Sequence, residues 1–245
     1  MRDWLSYRLS DLLLFSPRTY YRLLELHNRA WWPAHLAFLG VGASIVVLLR
    51  RGTQWSATAI TVLVSTCWLF VAWAFHLARY ATINWAARYF AVAFVIQALL
   101  MLWYGARRRP LFAWPSDRRG HVALGLLLFA LCVEPLIGPL GGRAWTQLEI
   151  FGITPDPTVI ATLGVLALVR RRVPWLLLVI PVLWCAITGT TLWAMRQPDA
   201  LVVPIAGLIG TTLALLNRGS IAPRPSSPPA AQPFPRRDRS SSGSR

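Results

Sequence analysis

Lysine is absent. All 25 basic residues are arginine, a bias attributed to a GC-rich bacterial genome, and only nine acids oppose them. A net charge of +16 raises nucleic acid as a partner, but the arginines punctuate apolar segments and crowd the C-terminal tail, the pattern of membrane topology, so no nucleic-acid binding is expected. The three cysteines, Cys67, Cys132 and Cys185, all lie in apolar runs, which argues against a disulfide framework or a CxxC metal site. HExxH, GxSxG and GxxxxGK[ST] are missing, and with them the common zinc-hydrolase, serine-hydrolase and ATPase signatures. The four histidines, His27, His35, His76 and His121, have no ligand spacing, so neither a metal nor another cofactor is expected. The N-terminal residues hold only the short apolar run Leu12–Phe15, too brief for the core of a cleavable signal peptide, and the N-terminus is expected to be retained.

What the chain has instead is apolar length. Hydrophobic residues make up 56% of it, more than a soluble domain of this size needs for its core, and the surplus implies lipid. Seven apolar segments are expected to cross the bilayer, at about 33–49, 55–76, 86–104, 121–140, 157–169, 174–195 and 200–216, each judged against the ~20 residues a helix needs. The fifth, about 13 residues or ~20 Å of helix, must be extended by its neighbours or begin inside the membrane. Ahead of them, Ser16-Pro17 starts a helix with Arg18, Arg22, Glu25 and Arg29 on one face and Tyr20, Leu23, Leu24, His27 and Trp31 on the other, read as an amphipathic helix lying in the interface. The fold class is thus an all-α polytopic membrane protein. Three regions follow: an interfacial segment over 1–32, a helical bundle over 33–217, and an Arg/Pro/Ser-rich tail over 218–245 with too little apolar surface to order it.

Gly40 with Ser44, and Ala206 with Gly210, have the four-residue spacing that lets helices approach closely. Gln97 and the Thr58, Thr61, Ser65 row read as interhelical hydrogen-bonding groups. Loop arginines set the orientation. Arg50, Arg51, Arg107, Arg108, Arg109, Arg118, Arg119, Arg170, Arg171 and Arg172 fall on one side, and Arg79, Arg88, Arg143 and Arg196 on the other. The richer side should be cytoplasmic, with the N-terminus outside and the C-terminus inside a bacterial inner membrane.

Chemistry concentrates in EPLIGPLGGRAWTQLEIFGITPDPT, residues 134–158, which holds three of the nine acids. Glu134 lies within ~5 Å of the midpoint of its segment, where an ionisable group is costly and a functional candidate, and Pro135 weakens the helix beside it. Asp156 before Pro157 reads as the cap of the fifth helix. Glu149, Asp156 and Asn84 are expected to share an outer-side vestibule with Glu134.

The runs LSDLLLFSPRTYYRLLELHNRAWWP, YATINWAARYF and FGITPDPTVIATLG resemble the bacterial membrane family catalogued as domain of unknown function 6064, over about residues 1 to 217. The resemblance implies a multi-pass protein and carries no catalytic residue. Three functions stay open: a small permease or carrier with an unidentified small-molecule substrate, a non-catalytic scaffold or regulator, and an intramembrane enzyme. Pro135, Pro181, Pro204 and the short fifth span favour the first. No internal inverted repeat supports it, and an enzyme is the least favoured, since spacing places no second catalytic group.

Overall fold

The computed structural model describes residues 15–112 and 114–216. The tail over 218–245 and the run Leu12–Leu14 lie outside them. Among the described residues the fold is wholly helical. In chain order the helices are α1 (Pro17–Trp31), α2 (Ala34–Arg51), α3 (Gln54–Phe70), α4 (Ala87–Arg108), α5 (Arg118–Leu128), α6 (Glu134–Leu140), α7 (Pro155–Ala167), α8 (Leu176–Ala194) and α9 (Val202–Leu216). Helix α3 runs on through a π-helical stretch, Val71–Leu77, and α5 joins α6 through another, Phe129–Val133. Pro135 explains the second. Lacking an N–H, it cannot bond the carbonyl four residues back, and the ladder widens by one residue just before it.

From α2 onward, with α5 and α6 as one rod, the helices run back and forth between two ends of a bundle. At one end α1 and the connections after α3, α6 and α8 meet: Tyr20 packs on Tyr80, Asn28 bonds the carbonyls of Thr146 and Leu148, and Arg143 pairs with Asp199. At the other end Arg50 stacks over Trp114, Phe112 bridges to Val169, and Arg119 reaches the carbonyl of Leu216. Five segments, Ala34–Arg51, Gln54–Thr82, Ala87–Arg108, Arg118–Leu140 and Leu176–Ala194, are long and apolar enough to cross a membrane. Helices α7 and α9, of 13 and 15 residues, are shorter.

The centre of the bundle is α7. Every residue from Glu149 to Val169 is buried, and the helix is apolar all round, as an element enclosed by others must be. It packs on α3, α5, α8 and α9. Gly164 permits a close backbone approach to α5: a Cβ there would stand 2.9 Å from the backbone nitrogen of Leu127 and 3.0 Å from the carbonyl oxygen of Ala123. The chain reaches α7 through an irregular buried stretch whose polar backbone is satisfied from within. Ile150 N–H donates to Thr154 Oγ1 and Gly152 N–H to Thr158 Oγ1, each at 2.8 Å, and the Ile153 carbonyl accepts from His27 Nε2 at 3.1 Å. Non-helical backbone at such depth is tolerable only when protein supplies these partners.

Some local expectations change. The amphipathic division of α1 is as read, but its apolar face docks on the bundle rather than on headgroups, burying Tyr20, Tyr21, Leu23, Leu24, His27 and Asn28. On that face His27 and Asn28 donate to the carbonyls of Ile153, Thr146 and Leu148, which ties the helix to the loops beneath it. Gly40 meets no neighbour, whereas Gly210 lies against Leu163 and Leu126 as a close-packing residue should. Gln97 does bond across helices, to the Leu177 carbonyl at 3.0 Å, but Thr58 and Thr61 donate back to their own helix.

Candidate functional site

Near the α1 end, carboxyl groups from four places meet inside the protein. Glu134 opens α6, Glu149 lies in the connection after it, Asp156 sits in the first turn of α7, and Asp199 stands in the turn between α8 and α9. Arg143 is the cation among them. Its Nη1 lies 3.2 Å from Glu149 Oε1 and its Nη2 2.6 Å from Asp199 Oδ2, while its guanidinium covers the Tyr21 ring at 5.0 Å. Tyr21 in turn donates its hydroxyl to Gln197 Oε1 at 2.8 Å, tying α1 to the same turn. Gly138 makes room for the arginine, since a Cβ there would lie 2.5 Å from Arg143 Nε, and its carbonyl accepts the Arg143 N–H.

Asp156 is not a cap. Helix α7 begins two residues earlier than that cap requires, at Pro155 after Thr154, and the Asp156 side chain turns inward to accept from Trp184 Nε1 at 2.6 Å and Thr188 Oγ1 at 2.9 Å. Asp156 still occupies the first turn, where the positive end of the helix dipole suits a negative charge. The stronger pull is two side-chain donors on α8, which the spacing around Pro157 does not reveal.

Glu134 is 7% exposed and Glu149 6%, and one oxygen of each, Oε2, has no hydrogen-bond partner. Glu149, Asp156, Arg143 and Asp199 all act electrostatically on Glu134. Burial pushes the Glu149 carboxyl up to about 8, with the charge of Asp156 adding to the rise and Arg143 opposing it. Burial disfavours the charge on Arg143, but Glu149 and Asp199 outweigh it and hold the guanidinium above its ordinary value. Four carboxyls against one guanidinium leave an acid excess that burial penalises unless protons neutralise it.

A cleft of about 690 Å³ opens onto this cluster between α1 and the stretch 142–147, lined by Arg18, Tyr21, Arg22, Glu25, Gly142, Arg143, Ala144 and Gln147. Arg143 and Tyr21 therefore lie between the cleft and the buried acids. The structure brings together Glu134, Glu149 and Asp156 of the four residues singled out from sequence. Asn84 makes no hydrogen bond to the cluster's acids among the described residues; its Oδ1 accepts from the Ala86 N–H at 3.0 Å just before α4, and its side chain bonds Tyr80. Sequence reasoning missed Arg143, Asp199, Tyr21, Trp184 and Thr188 as members. Arg143 carried a signal, being the one arginine in the 134–158 stretch that holds three of the nine acids. Among the described residues no three His, Cys, Asp or Glu side chains are placed to hold a metal ion.

The model of the family of unknown function DUF6064 matches residues 18–222. The chain belongs to that family. No curated relative and no solved structure matches it. The family supplies no activity, so the buried acids have to be read on their own chemistry.

Proposed function

We propose that this DUF6064 protein is a small proton-coupled carrier of the bacterial inner membrane, with α7 and α9 completing seven spans and the acid cluster opening to the outer face. The observation that supports the reading is the pair Glu134 and Glu149, buried with unpartnered oxygens behind an arginine that floors a cleft. A scaffold gains nothing from burying three carboxyls, with a fourth half-buried, beside one guanidinium; a carrier needs groups whose charge changes when a proton or substrate arrives. The irregular stretch before α7 and the π-helical turns beside Glu134 and His76 fit a site built on interrupted helices. In this reading Arg143 closes the cleft while paired with Glu149 and Asp199, and a substrate that draws it away exposes the acids.

The test is current across a solid-supported membrane carrying the reconstituted protein, with amino acids, sugars, organic acids and amines offered by class under a pH gradient. A substrate-dependent transient current that disappears in Glu134→Gln is expected. Silence with every class, from protein shown to be folded, would overturn the carrier.

A further inference from the structure

A second cleft, of about 360 Å³, lies on the other side of α1, between that helix and the connection after α3. Arg18, Arg22 and Arg79 line it together with Leu23, Leu26 and Ile83. Arg22 already pairs with Glu25 at 2.8 Å, but among the described residues neither Arg18 nor Arg79 has a carboxylate partner. Two unneutralised guanidiniums converge above an apolar wall.

What lies beside the cleft decides its ligand. Leu69, Trp73 and Leu77 recur along an exposed face of the α3 rod, with Trp73 57% and Leu77 48% exposed, and the rod ends at Arg79 and the Tyr80–Thr82 turn. Leu26 of α1, also exposed, borders the same cleft. An apolar lane thus leads along a membrane-length segment, Gln54–Thr82, to a basic cleft at its end. A free anion would use the arginines and leave the lane bare; a zwitterionic phospholipid would bring its own ammonium into a cleft that already holds two unneutralised guanidiniums, whereas a net anionic one suits both the lane and the charge. We propose that the cleft binds one anionic phospholipid, its phosphate held by Arg18 and Arg79 and an acyl chain laid along Leu77, Trp73 and Leu69. Guanidinium suits this role because its planar fork donates two hydrogen bonds to one phosphate. The inference needs only a membrane around the α3 rod and is independent of whether the acid cluster transports anything.

Native mass spectrometry of the full-length protein in neutral detergent tests it, with dioleoyl phosphatidylglycerol, dioleoyl phosphatidylcholine and inorganic phosphate as probes. One phosphatidylglycerol should be retained in preference to phosphatidylcholine. At about 1 kcal/mol for each basic residue near an anionic lipid, R18Q/R79Q should weaken retention on the order of tenfold to thirtyfold. The control R107Q/R108Q, two exposed arginines at the opposite end, should leave it unchanged. Equal retention by R18Q/R79Q, or an equal loss in the control, overturns the site. Phosphatidylcholine held as tightly, or inorganic phosphate displacing the lipid at equal concentration, overturns the anionic-lipid assignment.

Discussion

Arg143 is one positive charge shared by Glu149 and Asp199, and the arithmetic of that sharing makes single residues informative. Burial raises the Glu149 carboxyl from its ordinary value of 4.5 to about 8, so between those limits the folded state holds the extra proton. The sign follows directly: stability is greatest below the free value and falls as pH rises through the window, by up to about 1.4 kcal/mol per pH unit. Glu149→Gln should therefore flatten the pH dependence of the melting temperature of the detergent-solubilised protein across that range. An unchanged slope would assign the dependence to another group. Asp156 gives a different outcome, because both its oxygens accept side-chain donors. Asp156→Asn keeps an acceptor for Trp184 Nε1 only with its amide toward Thr188, whose hydroxyl must then accept instead of donate, so the two bonds to a charged carboxylate are lost as a pair. A loss of ~2 kcal/mol is expected in thermal or denaturant unfolding, where a residue acting only as a helix cap would show almost none.

Among the elements, α7 is what the rest of the chain encloses. Its threonines form a ladder: Thr158 and Thr162 each donate to the carbonyl four residues back, and Thr162 also accepts from Trp68 Nε1 at 2.8 Å. These bonds let hydroxyls sit in a dry core without orphaned donors. Gly164→Ala should test the fit on the opposite side, since the new methyl meets backbone of α5 that cannot rotate away. A destabilisation of about 1–3 kcal/mol is expected, and Gly40→Ala, which meets nothing within 4 Å, should be silent in the same melting assay. The rods themselves were legible in sequence, because apolar length and arginine punctuation are one-dimensional signals; 121–140 and 200–216 lie within a few residues of Arg118–Leu140 and Val202–Leu216. The α1 start was legible too, with Ser16 accepting from Thr19 N–H as its composition implies. Partners distant along the chain were not. Trp184 and Asp156 are 28 residues apart and Arg143 and Asp199 are 56 apart, and neither pair has a periodicity that would announce it. Asn84, for its part, accepts from the Ala86 N–H in a local turn.

At the scale of the molecule, the two ends of the bundle differ in how much unpaired arginine they carry, although Arg18, Arg79, Arg88 and Arg196 at the α1 end also have no acid partner among the described residues. At the α1 end Arg143 lies against the carboxyl groups of Glu149 and Asp199, and Glu25 pairs with both Arg22 and Arg29, at 2.8 and 2.7 Å. At the far end Arg107, Arg108, Arg118, Arg119, Arg170, Arg171 and Arg172 are exposed, and no acid pairs with them among the described residues. Free positive charge near span ends resists translocation, so the far end should remain in the cytoplasm and the cluster should face outward. The pairing of Glu25 also reduces the conflict raised by arginines in the N-terminal segment, since two of them cross with a compensating charge beside them. Because the rods alternate in direction, one reporter at each end reads both orientation and count. A reporter active only in the cytoplasm should work when fused after Arg218 and stay silent when inserted near Asn84. The reverse pattern would invert the molecule and turn the acid cluster inward. Activity at both positions would mean that one rod, with α7 the first suspect for its length, turns back within the membrane instead of crossing it.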